Sequence, residues 1–511
     1  MNAIQKDSNK NNQRIIKNSI ILYIRMIVTL LISLYTSRVI LKILGFEDFG
    51  IYNAVGGLVT MFTFLNSSMN VATSRFISVG LGKHNLKLSK LIYGQAVIIH
   101  LIIAIIITII LETIGLWFLY NKLTIPEGRI DAAYWVLQAS IIGCFITIIS
   151  TQDQATIISH EKMGAFAFFS LFDAIAKLGI IFIIPILNYD ALKLYSVLIV
   201  LVIIIERIIL IIYCHKSFDE VKTKIKFDGS LFKSMSTFAG WNILSNLAYM
   251  STEQGINILL NIFFGPVLNA ARGIANQVTN IVRTFVSNIR TSINPQIYKS
   301  YSEANYKYMH TLVFASAKFS YFAILVMALP LVIIVDSLLK IWLDDVPPYT
   351  SSFIICILIY LLIESFATTL TVSVHATGKI KSYQIAESIA MLLTLPIAYI
   401  ILKMGYNPIG AYLTQIIVSL FTMIIRLIIA LPKINIKWKD FNKAVIVPIG
   451  KVSIISILPL IVAEYLTNIK DTRNSVFFAL VEFIFTLIII YFQGLTPSEQ
   501  DFIKRKLYIV K

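Results

Sequence analysis

The chain has 511 residues, of which 57% are hydrophobic and only 14% are charged. An average soluble domain is about 25% charged, so the composition excludes an ordinary soluble enzyme. Lysine and arginine outnumber aspartate and glutamate by 44 to 27, which gives a net charge of +17. No aromatic and basic motif for nucleic-acid recognition accompanies this excess. It is better explained as a signature of membrane orientation, and no nucleic-acid partner is expected.

Apolar segments recur along the whole chain. Runs such as 98–111 and 197–213, with their flanks, reach the roughly 20 apolar residues that a helix needs to span a bilayer. The connections between such runs are short and leave no room for a soluble catalytic domain. The sequence therefore predicts an all-α polytopic membrane protein with about fourteen transmembrane helices, at residues 18–41, 50–74, 91–120, 132–157, 165–187, 194–214, 235–263, 268–293, 311–341, 350–374, 383–403, 408–431, 444–466 and 474–494.

The distribution of positive charge predicts how these segments are oriented. Most flanking Lys and Arg residues fall in alternate loops, on the same side as the N-terminus, and such residues resist translocation. Trp117, Trp135 and Trp342 fall at the opposite interface, as an aromatic belt should. The first segment is longer than a signal-peptide core and lacks a cleavage site, so it is expected to be a span. We predict that both termini are cytoplasmic.

A weak internal repeat becomes visible when the chain is shifted by 220 residues. Gly45 then falls on Gly265 and Ser67 falls on Ser287. Six spans are an even number, so two such repeats would have the same orientation, related by an axis along the membrane normal. The predicted organisation is two pseudo-symmetric six-helix lobes and two C-terminal helices, with an N-terminal lobe at 1–214, a cytoplasmic linker at 215–234, a C-terminal lobe at 235–431 and helices 13 and 14 with a tail at 432–511.

The second segment carries a continuous polar stripe. Its members recur at steps of three and four residues, which places them on one face of a helix. They are Asn53, Gly56, Thr60, Thr63, Ser67, Asn70 and Ser74. Such a stripe either lines a wet cavity or forms a tight seam between helices, because Gly, Ser and Thr also allow close approach.

The eighth segment carries a cationic stripe at the positions that the repeat makes equivalent. At 100° per residue, Arg272, Arg283 and Arg290 lie within about 20° of one another. Each arginine at membrane depth costs several kcal/mol unless it meets water, a partner or an anion, so the stripe favours a wet cavity. The two outer arginines could instead reach the interfaces, whereas Arg283 lies too central for that. Asn276, Asn280 and Ser287 share this stripe.

Other charges within the spans are candidates for the same cavity or for ion coupling. Arg25 lies well inside the first segment and is the next cavity candidate. Glu253, in segment seven, could neutralise an arginine or carry a proton. A shift of about 214 superposes Asp173 on Glu387, and both are candidate coupling sites. Asp173 could instead pair with Lys177, four residues later on the same helix.

Enzyme chemistry has no support in the sequence. No phosphate loop, nucleophile elbow or pair of catalytic carboxylates is found, and no cofactor or metal is expected. Glu206 is adjacent to Arg207, and we predict that these two charges pair locally. No partner is assigned from sequence to Glu364 or Arg426.

Two short motifs carry a family resemblance. The architecture, the basic polar cavity and the motifs resemble bacterial polysaccharide repeat-unit flippases of the multidrug/oligosaccharidyl-lipid/polysaccharide exporter superfamily. The resemblance implies export of an undecaprenyl-pyrophosphate-linked oligosaccharide, from the cytoplasmic to the periplasmic leaflet of the bacterial inner membrane, for surface polysaccharide biosynthesis. It also implies membrane lipids and polysaccharide polymerase machinery as partners. The motifs are Leu44-Gly45-Phe46-Glu47-Asp48-Phe49-Gly50-Ile51-Tyr52, and Ile158-Ser159-His160-Glu161-Lys162-Met163-Gly164 leading into 172–177.

The predicted cavity residues suit such a substrate. Arginine binds phosphate oxygens through bidentate, charge-assisted hydrogen bonds, and Asn, Ser and Thr suit the hydroxyls of sugars. Transport would proceed by alternating access, with the two lobes rocking around the cavity. The predicted substrate-binding residues are Arg25, Arg272, Arg283, Arg290, Asn53, Thr60, Thr63, Ser67, Asn70, Asn276, Asn280 and Ser287, with Glu253, Asp173 and Glu387 as candidate coupling residues.

Three alternatives remain open from sequence. A cation-coupled multidrug antiporter of the same superfamily would favour carboxylates over arginines in its cavity. A flippase for the lipid-linked peptidoglycan precursor would need the same cationic lumen. A membrane scaffold or receptor would pack its polar faces dry against each other.

Overall fold

The computed structural model describes residues 2–60, 62–121, 125–223, 225–264, 266–343, 346–466, 472–497 and 499–501. Within these residues the regular secondary structure is helical and there is no strand, which confirms the predicted all-α fold. The helices are α1 (Asn2–Thr60), α2 (Thr63–Gly82), α3 (Leu86–Asn121), α4 (Ile130–Ser159), α5 (Met163–Ile186), α6 (Ala191–Ser217), α7 (Gly229–Phe264), α8 (Pro266–Ser302), α9 (Tyr306–Trp342), α10 (Thr350–Thr377), α11 (Lys381–Lys403), α12 (Ile409–Lys433), α13 (Trp438–Pro459) and α14 (Asn474–Gly494).

Many of these helices have the length and composition of membrane spans. In the part of the chain that the structure describes, 10 helices, α3 to α6 and α9 to α14, are long and apolar enough to cross a bilayer. Large apolar side chains such as Ile105 and Ile109 on α3 are exposed, as expected of a surface that faces lipid. Helices α1, α2, α7 and α8 carry the polar and cationic residues singled out above. The count of fourteen spans stays a prediction.

Helix α1 is interrupted at the position where the first two predicted segments meet. Gly45 has φ +73° and ψ 174°, a conformation that residues with a Cβ rarely adopt, while the backbone on both sides is helical. The chain turns again at Phe62, whose N–H donates to the Val59 carbonyl at 3.0 Å. The predicted segment 50–74 is therefore divided between α1 and α2.

The first of two compact units comprises Met1–Asn246 and Asn294–Ala304. Its larger core is formed by buried apolar side chains of α1, α3, α4, α5 and α6, including Val55, Ile107, Val136 and Ile181. A smaller cluster around Phe169 joins α5 to α3, α4 and α6. Four helices of this unit, α1, α4, α5 and α6, enclose the cavity described below.

The second unit comprises Leu247–Ile293 and Asn305–Lys511. Its core draws on α7 to α12, and the rings of Phe353 and Tyr412 pack with their centroids 4.5 Å apart. Helices α13 and α14 are joined to α9 by hydroxyl hydrogen bonds, one of which links Ser337 and Ser475 at 2.9 Å. The Nζ atom of Lys318 donates to a carboxylate oxygen of Glu499 at 2.8 Å.

Helix α8 contributes to both units. Its residues up to Ile293 belong to the second unit and Asn294–Ala304 belong to the first, with Pro295 inside the helix at this division. In the first unit, Glu161 accepts hydrogen bonds from Lys299 at 2.5 Å and from Gln296 at 2.8 Å. These contacts fix the end of α8 to the connection between α4 and α5. The domain boundaries at 214, 234 and 431 stay predictions.

Candidate functional site: a charged cavity in the first unit

The first unit contains a cavity of about 620 Å³ between α1, α4, α5 and α6. This volume is within the range of about 300–1,000 Å³ typical of small-molecule sites. Its lining combines charged, hydroxyl and apolar side chains. The lining residues are Arg25, Thr29, Ile32, Ser33, Thr36, Ile40, Phe49, Thr147, Ser150, Gln154, Ser170, Asp173, Ala174, Lys177, Tyr195, Ile203, Glu206, Arg207 and Leu210.

Arg25 extends from α1 into this cavity. Its Nη1 atom donates to the Ser170 hydroxyl on α5 at 3.2 Å, and its guanidinium lies over the Phe166 ring, 5.0 Å from the centroid. The side chain is half-buried. Both of these contacts, one with a hydroxyl and one with an aromatic face, orient the guanidinium. Arg25 is therefore a positioned cation at the cavity wall.

Two carboxylates share the cavity with Arg25. Asp173 accepts a hydrogen bond from Lys177 at 2.8 Å, which is the i,i+4 pair predicted from sequence. Glu206 lines the cavity without an ion pair to any described residue. Of the predicted coupling candidates, Asp173 therefore lies in the same cavity as Arg25.

The prediction of a local pair between Glu206 and Arg207 is wrong. Arg207 donates through Nη1 to Asp153 on α4, and the Tyr93 hydroxyl donates to the other oxygen of Asp153 at 2.7 Å. Adjacent helix residues point about 100° apart, so Glu206 and Arg207 do not face each other. The pair between Arg207 and Asp153 connects two helices and was missed from sequence.

The uncharged lining is suited to hydroxyl-rich ligands. The hydroxyls of Thr29, Thr147 and Ser150 donate to carbonyls of their own helices at 2.6–2.8 Å. Each such hydroxyl has used its proton, so its oxygen remains able to accept a hydrogen bond from a ligand. Gln154 adds an amide to the same wall. The cavity thus offers acceptors for sugar hydroxyls next to a cation.

In the second unit, two of the predicted arginines meet one carboxylate. Arg272 is buried, with 4% of its side chain exposed, and donates to Glu253 at 2.6 Å and to the Tyr412 hydroxyl at 3.2 Å. Arg283 donates to the Tyr249 hydroxyl and lies 3.8 Å from Glu253. The structure therefore brings Arg272, Arg283 and Glu253 together, with two positive charges facing one carboxylate.

A second charge cluster in this unit involves Glu387. Arg426 donates to Glu364 at 2.8 and 2.9 Å and to Glu387 at 2.5 and 3.0 Å. A small cavity of about 10 Å³ near Glu364 and Glu253 has room for about one water molecule. Two glutamates thus share one arginine in a largely buried position.

The remaining predicted residues lie along α1, α2 and α8. Side chains of Asn53, Thr60 and Thr63 are outside the described residues. Ser67 and Asn280 are exposed, and Asn70, Asn276, Ser287 and Arg290 are half-buried. At the end of the α2 stripe, Ser74 lies 3.2 Å from Ser159 of α4 and is buried, so here the stripe forms a helix seam.

The residues that the structure describes contain no group of three or more His, Cys, Asp or Glu side chains that could hold a metal ion. The three cysteines are not joined by disulfides.

Solved transporter structures share this fold. A MATE protein in complex with MaD3S aligns with a TM-score of 0.73 at 15% identity, over 83% of this chain and 96% of that one. An outward-facing multidrug resistance MATE family transporter of the MOP superfamily aligns with a TM-score of 0.72 at 15% identity, also over 83% of this chain and 96% of that one. A MOP superfamily transporter from Pyrococcus furiosus Vc1 aligns with a TM-score of 0.71 at 15% identity, over 83% of this chain and 96% of that one. Its binding pocket is described as having reverse polarity. No protein-family model and no curated protein matches the sequence. The chain therefore has the MATE-type fold, which confirms the predicted fold class.

Proposed function

We propose that this chain is a membrane transporter that flips a polyprenyl-pyrophosphate-linked oligosaccharide by alternating access. The observation that carries the proposal is Arg25, positioned at the wall of a 620 Å³ cavity that also presents hydroxyls, an amide and four other charged side chains. The MATE-type fold supports the transport step, because its solved examples are described as transporters, one of them outward-facing.

The chemistry of the cavity matches the headgroup of such a lipid. A pyrophosphate presents oxygen acceptors to a guanidinium, which binds them by charge-assisted hydrogen bonds. Sugar hydroxyls would donate to oxygens such as those of Thr29 and Ser150, whose own protons are already used. The polyprenyl chain would stay in the membrane. The site predicted at Arg272 serves this proposal less directly, because Arg272 is buried and paired with Glu253, which also lies 3.8 Å from Arg283.

The wider setting follows the family resemblance. We place the protein in a bacterial inner membrane with both termini cytoplasmic, as the loop charges favour. Its expected partners are the lipid-linked oligosaccharide, membrane lipids and polysaccharide polymerase machinery. A lipid-linked peptidoglycan precursor carries the same pyrophosphate and is accommodated by the same chemistry.

A second candidate function is cation-coupled multidrug antiport. The observation that favours it is the presence of Asp173 and Glu206 in the same cavity, since carboxylates bind organic cations and protons. One solved structure with this fold is described as a multidrug resistance transporter. The fold itself does not decide the charge of the substrate, because another solved example is described with a pocket of reverse polarity.

Translocation in proteoliposomes tests both candidates. Wild type, Arg25→Ala and Arg25→Lys would be compared at equal insertion, with a lipid-linked oligosaccharide in one arm and a lipophilic cationic dye in the other. Lys87→Ala is the control, because Lys87 is exposed and outside the cavity. We expect oligosaccharide flipping by wild type and the control, and a loss of at least tenfold in Arg25→Ala. Dye transport without lipid flipping by wild type would instead select the antiporter.

A further inference from the structure

Helix α14 carries a buried carboxyl group. Glu482 is the only charged residue between 474 and 494 in the sequence, and it is 1% exposed. The hydroxyl of Thr486, which is also buried, donates to its Oε1 atom at 2.9 Å. The other oxygen, Oε2, is buried and has no hydrogen-bond partner among the described residues. A bare carboxylate is very costly in such a position, so its charge needs to be balanced.

Helix α9, which packs against α14, supplies no cation at this position. No charged residue lies in the stretch 319–335. Lys318, before this stretch, already donates to Glu499 at 2.8 Å, and Asp336, after it, is exposed. Tyr321 is the titratable group within the stretch, and its hydroxyl shares a hydrogen bond with a serine of α13 at 2.8 Å.

Helix α13 supplies no buried cation either. Its charged residues are all exposed, and they are Lys439, Asp440, Lys443 and Lys451. The side chain of Glu464, beyond the end of α13, is outside the described residues. In the part of the chain that the structure describes, the charge of Glu482 is therefore not balanced by a protein group.

Contacts at both ends of the interface between α9 and α14 give its register. Ser337 and Ser475 share a hydrogen bond at 2.9 Å. A Cβ added at Gly494 would lie 2.8 Å from the ring of Phe322, so these two residues pack directly against each other. The two helices are therefore antiparallel, because a later residue of α14 meets an earlier residue of α9.

Glu482 is level with Pro330 in this register, because each lies seven residues from the bonded serines. Proline has no N–H, so the carbonyl of Val326, four residues earlier, lacks its helical hydrogen bond. At 100° per residue, Val326 lies between Phe322 and Ser337 around α9, on the face that meets α14. A carbonyl without its helical donor and a carboxylate oxygen without a partner thus lie at the same interface.

We propose that the Glu482 carboxyl, the Thr486 hydroxyl and the Val326 carbonyl form a binding site for a monovalent cation, either a proton or a sodium ion. Each ion supplies the single positive charge that Glu482 lacks. A proton on Oε2 lets the carboxyl donate to the Val326 carbonyl. A sodium ion is held by the same oxygens, as carbonyls freed from helices hold it in transporters. The site is outside the charged cavity and does not depend on the substrate.

Cation binding couples the packing of α14 to the concentration of the ion. The bound ion neutralises Glu482 while α14 packs on α9, and the carboxylate is ionised and free when the two helices separate. Packing is therefore strengthened as the ion concentration rises. For a proton, this means that the stabilisation is present in acid and is lost as the pH rises.

Thermal unfolding, infrared spectroscopy and sodium binding of the purified full chain in nanodiscs test the site. Tm is measured against pH without sodium, and against sodium chloride at fixed pH, with choline chloride keeping the ionic strength constant. Infrared spectra follow the C=O stretch of a protonated carboxyl, and equilibrium dialysis with radioactive sodium measures bound sodium. Glu482→Gln replaces the carboxyl by a neutral amide of the same shape, which protects folding. Pro330→Ala restores an N–H for the Val326 carbonyl. Asp440→Asn is the control at an exposed carboxylate of α13.

The two ions give different results. For a proton, wild type and the control should show a carboxyl band that Glu482→Gln lacks, and their Tm should fall more steeply with rising pH. For sodium, wild type and the control should bind one more sodium ion per chain than Glu482→Gln, and sodium should raise only their Tm. In Pro330→Ala the new N–H competes for the Val326 carbonyl, so the carboxyl band should move to higher frequency or the sodium affinity should fall several-fold.

Two results would contradict the proposal. Equal spectra, equal sodium binding and parallel Tm profiles in wild type and Glu482→Gln would overturn the cation site. A signal that depends on Glu482 but is unchanged in Pro330→Ala would overturn the assignment of the Val326 carbonyl as part of it. Both results leave the proposed function untouched, because the translocation assay measures that separately.

Discussion

Glu253 accepts a 2.6 Å hydrogen bond from Arg272, while Arg283 lies 3.8 Å from the same carboxylate. One negative charge on α7 therefore faces two positive charges on α8 inside the second unit. This sharing makes the three side chains interdependent. Their removal should affect stability more than the removal of Arg25, which is half-buried and lines the cavity.

Arg272→Leu should strongly destabilise the protein. The side chain of Arg272 is 4% exposed, and its loss leaves Glu253 with the more distant Arg283. Breaking a buried pair from one side typically costs about 3–5 kcal/mol. Thermal unfolding in detergent should show a marked fall in Tm for this variant and a smaller one for Arg25→Leu. Equal changes in the two variants would contradict a stabilising role for the pair with Glu253.

The contact of Glu161 with Lys299 should make stability depend on pH. Burial by itself raises the pKa of the Glu161 carboxyl, but Lys299 and Gln296 together hold it below its usual range. A lowered pKa in the folded state means that the stabilisation is present above the ordinary glutamate pKa and is lost as the pH falls through the folded value. Glu161→Gln should therefore lower Tm at neutral pH, and the difference from wild type should shrink in acid.

Asp219→Asn is the matched control for this pH profile. The pKa of Asp219 is also lowered, by a hydrogen bond from Lys222, but the group is fully exposed. The Tm of Asp219→Asn should therefore change with pH in the same way as that of wild type. If the difference in Tm between Glu161→Gln and wild type stayed the same at every pH, the result would refute the contribution of the ion pair.

Glu387 and Arg426 should respond unequally to substitution. Only one oxygen of Glu387 receives hydrogen bonds from Arg426, so Glu387→Gln retains an acceptor and should cost about 1 kcal/mol or less. Arg426→Met leaves Glu364 and Glu387 buried beside each other without their cation and should cost several kcal/mol. Denaturant or thermal unfolding of both variants checks the order, and the reverse order would contradict it.

Gly45 should be intolerant of alanine for conformational reasons alone. A Cβ at this position meets no atom within 4 Å, but φ is +73° and ψ is 174°, so Gly45→Ala should destabilise by about 1–3 kcal/mol. Gly56 has the same open space and an ordinary helical φ, so Gly56→Ala should stabilise by about 0.5–1 kcal/mol. The comparison is made by thermal unfolding. Similar changes in Tm for the two variants would contradict the conclusion that the break in α1 requires a glycine at position 45.

The fold could be predicted from the sequence because its main determinant, the length of apolar runs, is local. The i,i+4 pair of Asp173 and Lys177 could be predicted for the same reason. The segments that became α1, α2, α7 and α8 were also predicted as spans, but they are not among the ten helices of the described residues that are apolar enough to cross a bilayer.

The partners of buried charges could not be predicted in the same way. Asp153 and Arg207 are 54 residues apart and meet only because α4 packs beside α6. Glu364 and Glu387 meet Arg426 through the packing of α10 and α11 against α12. A sequence pattern gives the direction of a side chain around its own helix, but it does not say which neighbouring helix supplies the opposite charge.

Pro295 stands where α8 passes from one unit to the other. Proline has no N–H, so the helix lacks one of its backbone hydrogen bonds at that point and resists bending less there than in the turns on either side. Gln296 and Lys299, one and four residues beyond Pro295, donate to Glu161 and fix this end of the helix. The helix therefore has a compliant joint immediately before an anchored end, so strain along it would concentrate at Pro295 and leave the arginine-bearing turns straight.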